Sequence, residues 1–330
     1  MVTLKQSPED FIVNEKMKLT LGGGKHAIFL LKKRDLNTMQ VLDYIKNTCN
    51  LRDKDIGYAG MKDKIAITTQ YISIAAAKEH VLSKDFPFEL EYVGQSKQAL
   101  YIGGLEGNEF IITARDCQKE PRAKVSIINY FGEQRFSVQN VAIGRFLVKK
   151  NYHEAVSLVV ETQNPFQQKK LKEMLDKDPH DYIGALRNVP LKLIQFYIHA
   201  YQSYLWNKVV SELIKKKDKN YLIDDVLDVA VPTIEVQLPP IPLIGFYTDE
   251  DVPKEVEEVM DEVLDSESLS ARDFINKSMP ELTVTGNLRN TIINLSDVKI
   301  TLLEKNVYQL HFFLPKGSYA TVTTRQLLIF

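Results

Sequence analysis

The chain has 330 residues, 44% hydrophobic and 26% charged, enough apolar material for the cores of two ordinary domains. No apolar run approaches a membrane span and no secretory leader pattern opens the chain, so a soluble cytoplasmic protein is expected; two distant cysteines and scattered histidines exclude a disulfide framework and give metal catalysis no support. The net charge of −1 would argue against a nucleic-acid partner, yet residues 1 to 150 carry 23 Lys/Arg against 17 Asp/Glu and residues 285 to 330 carry 5 against 2, whereas residues 151 to 284 carry 14 against 24.

In chain order, strand patterns run from Phe11 to Asn14 and His26 to Lys32, followed by a helix pattern from Thr38 to Thr48. Strands are predicted again near Tyr71 to Ala75, Phe88 to Val93 and Asn108 to Ala114, and a helix from Ala123 to Ile128. The middle changes character. Residues 190 to 217 read as one amphipathic helix started by Pro190, its aromatics read as facing a core, with a nucleic-acid stacking platform as the alternative. Another, from Pro253 to Leu264, presents a row of glutamates and aspartates that reads as a solvated face. A strand from Val307 to Leu314 and a helix from Ala320 to Leu328 close the chain. This is an α+β pattern with a mixed, largely antiparallel sheet. The shift in charge and pattern predicts a discontinuous domain, 1–150 plus 285–330, interrupted by a second α+β domain at 151–284.

Within this layout the stretch Tyr58-Ala59-Gly60-Met61-Lys62-Asp63-Lys64-Ile65-Ala66-Ile67-Thr68-Thr69-Gln70 stands out. It sets one carboxylate, Asp63, between two cations on a glycine-led turn joining two strand-like segments. Ordinary turn chemistry would also explain an aspartate beside a glycine. Lys32, Lys33 and Arg34 form the densest basic cluster, at a strand end, and read as phosphate contacts or as solvated charge.

Four collinear blocks resolve the first ambiguity. GMKDKIAITTQ resembles the Gly-x-Lys-Asp and Ala-x-Thr-x-Gln signature of the TruD family of tRNA pseudouridine synthases. Leu4 to Glu15 is similar to that family's Lys-x-x-Pro-Glu-Asp-Phe opening, and Asn129-Tyr130-Phe131-Gly132-Glu133-Gln134-Arg135-Phe136 to its central block. Leu314 to Thr321, with Arg325 and Leu327, is similar to its ending. Ser137 stands where many relatives carry glycine, and the Pro280 to Arg289 segment leans toward the archaeal and eukaryotic branch.

The resemblance implies a pseudouridine synthase catalytic domain with permuted strand order, acting without cofactor on tRNA, near uridine 13. It places the catalytic aspartate at Asp63, a supporting cation at Lys5, and active-site roles at Asn129 and Phe131. Phe131 offers a flat surface and Asn129 a polar edge for a base taken out of its stack, although an isolated phenylalanine also suits a core. Lys62, Lys64 and Lys316 are candidate phosphate contacts, and Arg135 reads as either a phosphate contact or a carboxylate partner. Ser318 reads as the N-cap of the last helix, beside the Lys316-Gly317 turn. Three other readings compete: a synthase for another tRNA or RNA position, a non-catalytic RNA-binding or RNA-folding protein on the same scaffold, and a small-molecule hydrolase using Glu9 or Asp10 as a second carboxylate.

Overall fold

The computed structural model describes residues 2–136, 139–246, 251–295 and 298–329; Ser137 lies outside them. The strands are β1 (Thr3–Leu4), β2 (Phe11–Lys16), β3 (His26–Arg34), β4 (Ile56–Tyr58), β5 (Ile67–Ile74), β6 (Glu89–Ser96), β7 (Gly107–Arg115) and β8 (Ser126–Ile128). After these come β9 (Leu222–Asp224), β10 (Val229–Val231), β11 (Ile241–Pro242), β12 (Leu288–Arg289), β13 (Ile292–Asn294), β14 (Lys299–Glu304) and β15 (Val307–Pro315). The helices are α1 (Thr38–Cys49), α2 (Lys78–Leu82), α3 (Asn140–Val148), α4 (Tyr152–Thr162), α5 (Pro165–Lys177), α6 (Tyr182–Arg187), α7 (Leu191–Lys217), α8 (Lys254–Ser266) and α9 (Ala320–Leu328).

The chain divides into two compact units, residues 1–127 with 294–330, and residues 128–293. The predicted divisions at 150 and 285 differ from these. The central block from Asn129 onward packs in the second unit, because the Asn129 amide donates to the Thr291 carbonyl at 2.8 Å and the Tyr130 hydroxyl to the Ala230 carbonyl at 2.7 Å.

The first unit is built on a sheet in the order β14-β15-β7-β2-β5-β3-β6, with β1 beside β7 and β4 beside β5. Its pairings are antiparallel except that of β2 with β5, which run parallel with Ile12 opposite Ile67. The parallel pair sets both strand starts at one end of the sheet. Helix α1, opened by Asn37 accepting from the Gln40 amide, covers one face; Val41, Leu42, Ile45 and Cys49 pack with Ala27, Phe29, Leu31, Ile72 and Ile74.

The second unit is organised around α7, which is buried along most of its length and includes Tyr197, Tyr201, Leu205, Trp206 and Val210 in its core. Those aromatics are core residues. Two local expectations fail. Residues 123–128 hold no helix; β-branched Val125, Ile127 and Ile128 favour extended chain, and β8 forms there. The cap of α9 is Tyr319, after a turn in which Gly317 has φ of +83°, and the Ser318 hydroxyl caps nothing. Among the described residues no helix is long and apolar enough to cross a membrane.

Candidate active site

Asp63 lies on the connection 59–66 between β4 and β5. Because β2 is parallel to β5, the segment leading into β2 arrives at the same end of the sheet as this connection. Lys5 sits there. Its backbone is left-handed, with φ of +58°, between the end of β1 and the turn at Ser7 to Asp10. Its ammonium crosses the Phe11 ring at 3.9 Å and donates to Asp63 Oδ2 at 2.9 Å. The Asp63 side chain is 37% exposed, so the carboxylate is held by a cation and still open to a substrate.

The loop behind Asp63 is anchored from three sides. The Lys62 amide donates to Thr38 Oγ1 at 2.9 Å, this hydroxyl donates to Gln70 Oε1 at 3.0 Å, and Gln70 Nε2 donates to the Gly60 carbonyl at 3.1 Å. The Lys62 ammonium turns inward to Glu15 of β2, whose other oxygen accepts from the Tyr71 amide at 3.0 Å. Lys33, only 1% exposed, donates to the carbonyls of Asp63 at 2.8 Å and Leu36 at 2.5 Å. Burial pulls its pKa down to about 8, against the raising effect of Asp63, while Lys62 adds to the lowering.

These positions correct two phosphate-contact readings. Lys62 and Lys33 are buried beneath the loop and committed to Glu15 and to backbone carbonyls, out of reach of a phosphate. Strand alternation carried the signal for Lys33: β3 extends through Arg34, so Lys33 follows Phe29 and Leu31 onto the inward face. Lys32 and Arg34 are outward, paired with Glu89 at 3.0 Å and Glu9 at 2.7 Å. Lys64 is exposed, and Lys316 is exposed with its ammonium donating to the Gly103 carbonyl at 2.8 Å.

The hydrolase reading loses Asp10 as its second carboxylate, while Glu9 is exposed and paired with Arg34. Asp10 is buried in a two-pronged pair with Arg115, at 2.8 and 3.2 Å. The Arg34 guanidinium hydrogen-bonded to Glu9 holds that carboxyl below its usual range. Among the described residues no group of His, Cys, Asp or Glu side chains is placed to hold a metal ion.

In the second unit, Asn129 and Phe131 are buried and meet on Arg289. The Arg289 guanidinium donates to the Asn129 backbone carbonyl and to Oδ1, both at 2.8 Å, and lies 3.9 Å above the Phe131 ring centre. Asn129 Nδ2 donates to the Asn290 carbonyl at 2.9 Å. Asn207 clamps the Phe131 backbone by accepting from its amide and donating to its carbonyl, each at 2.9 Å, and Trp206 meets the ring edge-on at 5.6 Å. Arg135 stacks on Phe196, its guanidinium 5.1 Å from the ring centre. Thr38, Gln70, Glu15, Asn207 and Arg289 were given no site role from sequence. An amide among the apolar residues of a helix, as at Asn207, is the sequence signal that could have found such a clamp.

Comparison with known proteins shows the family and the fold. A family model described as "tRNA pseudouridine synthase D (TruD)" matches residues 1–175 and 167–327. The chain is 31% identical to "Probable tRNA pseudouridine synthase D" of Thermococcus onnurineus, covering 98% of this chain and 94% of that one. It is 29% identical to "tRNA pseudouridine synthase D" of Aquifex aeolicus, covering 99% and 98%. A crystal structure described as that of the "Putative tRNA pseudouridine synthase D (TruD)" from Methanosarcina mazei shares its fold, with a TM-score of 0.76 and 24% identity over 99% of this chain and 93% of that one. The family match spans both units and all four sequence blocks, and the chain belongs to the TruD family.

Proposed function

We propose that this protein is a tRNA pseudouridine synthase that isomerises a uridine, at position 13 of tRNA, with Asp63 as the catalytic carboxylate. The observation that carries the reading is the Lys5–Asp63 pair, 2.9 Å apart, with Asp63 on the loop whose sequence resembles the family signature. The reaction breaks the bond from N1 of uracil to C1′ of the ribose, turns the base, and joins C5 to C1′; the C5 hydrogen leaves as a proton and N1 takes one up. It needs an ionised carboxylate at the sugar, as nucleophile or base, and a site that retains the detached base. Lys5 favours the ionised form of Asp63 and fixes its direction. Lys33 and Thr38 fix the backbone from behind, so little of the loop need be ordered when substrate binds.

Asn129 and Phe131 enter this reading as the base-receiving pair of the family pattern, with Arg289 seated on both. Exposed Lys64 and Lys316 supply phosphate contacts. The test separates synthase from RNA-binding protein. Asp63→Asn is expected to abolish tritium release from tRNA labelled at C5 of uridine while leaving tRNA affinity within about tenfold. Normal release by the variant would remove Asp63 from the mechanism, and no release by the wild-type protein from any tRNA would favour the binding protein. Mapping pseudouridine in RNA from cells with and without the protein tests position 13.

A further inference from the structure

Beside the Asp63 loop the first unit carries an apolar tip that the reaction as described leaves unused. Residues Tyr101 to Gly104 form a type II turn: the Gly104 amide donates to the Tyr101 carbonyl at 3.0 Å, and Gly103 at the third position has φ of +86°. The turn is pinned on both sides. The Gly103 amide donates to the Ala59 carbonyl at 2.8 Å, at the root of the Asp63 loop, and the Gly103 carbonyl accepts from Lys316 at 2.8 Å. Upstream, the Leu100 amide donates to Ser73 Oγ of β5 at 2.9 Å.

On this fixed support two large apolar side chains face solvent, Tyr101 at 70% and Ile102 at 74% exposure, and Met61 on the Asp63 loop is 72% exposed. Lone exposed apolar residues are common; an exposed aromatic on a pinned turn beside a cation adds the two elements that hold unpaired nucleotides, a stacking face and a positive charge. An aromatic face stacks on any base, and a lysine at its edge meets the phosphate.

We propose that the Tyr101–Gly104 turn is a stacking platform for an unpaired RNA base next to the target uridine, with Tyr101 supplying the ring, Ile102 an apolar wedge and Lys316 a phosphate contact. The assignment rests on the reading of Asp63 as the carboxylate that meets RNA. Continuity supports it, since the turn hydrogen-bonds to the loop that carries Asp63. A base leaving its stack to reach Asp63 uncovers the neighbouring base, and a platform at this point takes over the lost stacking.

The test is binding of an unmodified tRNA transcript to the full chain in the Asp63→Asn background, where no turnover intervenes. Tyr101→Ala is expected to weaken binding about tenfold with an unchanged salt slope, and Tyr101→Phe or Tyr101→Trp to restore it. Lys316→Gln is expected to lower the slope of log affinity against log salt by about one. Because Tyr101 is exposed, its substitution should leave the melting temperature unchanged. Binding of Tyr101→Ala within twofold of its parent overturns the platform. Tritium release by the chain with Asp63 intact decides the catalytic reading separately: weaker binding by Tyr101→Ala in an enzyme that releases no tritium would keep the platform and sink the catalysis.

Discussion

Lys33 is a buried cation whose stability contribution changes with pH in a defined direction. Its ammonium has carbonyl partners and, among the described residues, no carboxylate at hydrogen-bonding distance, and burial lowers its pKa from 10.5 to about 8. Between those values the unfolded chain holds a proton that the folded protein has released. Stability from this group therefore rises with pH across that window, while at lower pH the charged form carries its full desolvation cost. The neutral amine still donates, so the Asp63 carbonyl keeps its partner. Urea unfolding of wild type and Lys33→Met at pH 7 and pH 9.5 should show wild type gaining relative to the variant at the higher pH; a constant difference would refute this. Sequence offered Lys33 as one cation among three. Its inward direction follows only once the strand is known to run past Lys32, where charge gives no help in setting the boundary.

At the scale of elements, the site depends on β2 lying parallel to β5. Periodicity made both strands legible, and with them β3, β6, β7, β15, α1, α7 and α9, because apolar alternation and helical spacing are local properties. Pairing is not local: Lys5 and Asp63, 58 residues apart, meet because two strand starts share one sheet end. The Lys62–Glu15 pair ties the Asp63 loop to that strand arrangement, both side chains being almost wholly inside. Removing one member strands a buried charge, so Lys62→Met is expected to destabilise by about 3–5 kcal/mol. In Lys62→Met with Glu15→Gln the remaining amide still accepts from the Tyr71 amide, and a large part of that loss should return. Denaturant titration of both singles and the double measures the coupling; additive losses would show that the pair does not act as a unit.

Across the whole molecule the charge is uneven and only part of it is available. The first unit holds 23 Lys/Arg against 18 Asp/Glu, the second 19 against 25. In the second unit the acidic helix α8 turns part of its charge back on the end of α7, with Glu255 to Lys217 at 3.0 Å and Glu262 to Lys216 at 2.9 Å. Composition revealed the asymmetry, whereas its partition into buried, paired and open cations required coordinates. Lys33 and Lys62 are inside, Lys32 and Arg34 have surface carboxylate partners, and Lys64 and Lys316 are exposed. Binding to a polyanion releases counterions in proportion to the phosphates neutralised, so a salt series counts the open cations. Neutralising Lys64 and Lys316 together as Lys64→Gln and Lys316→Gln should lower the salt slope of tRNA binding by about two, while Lys33→Met leaves it unchanged. If Lys33→Met flattened the slope as much as the exposed pair, the ammonium beneath Asp63 would have to reach phosphate, and the loop would have to open when RNA binds.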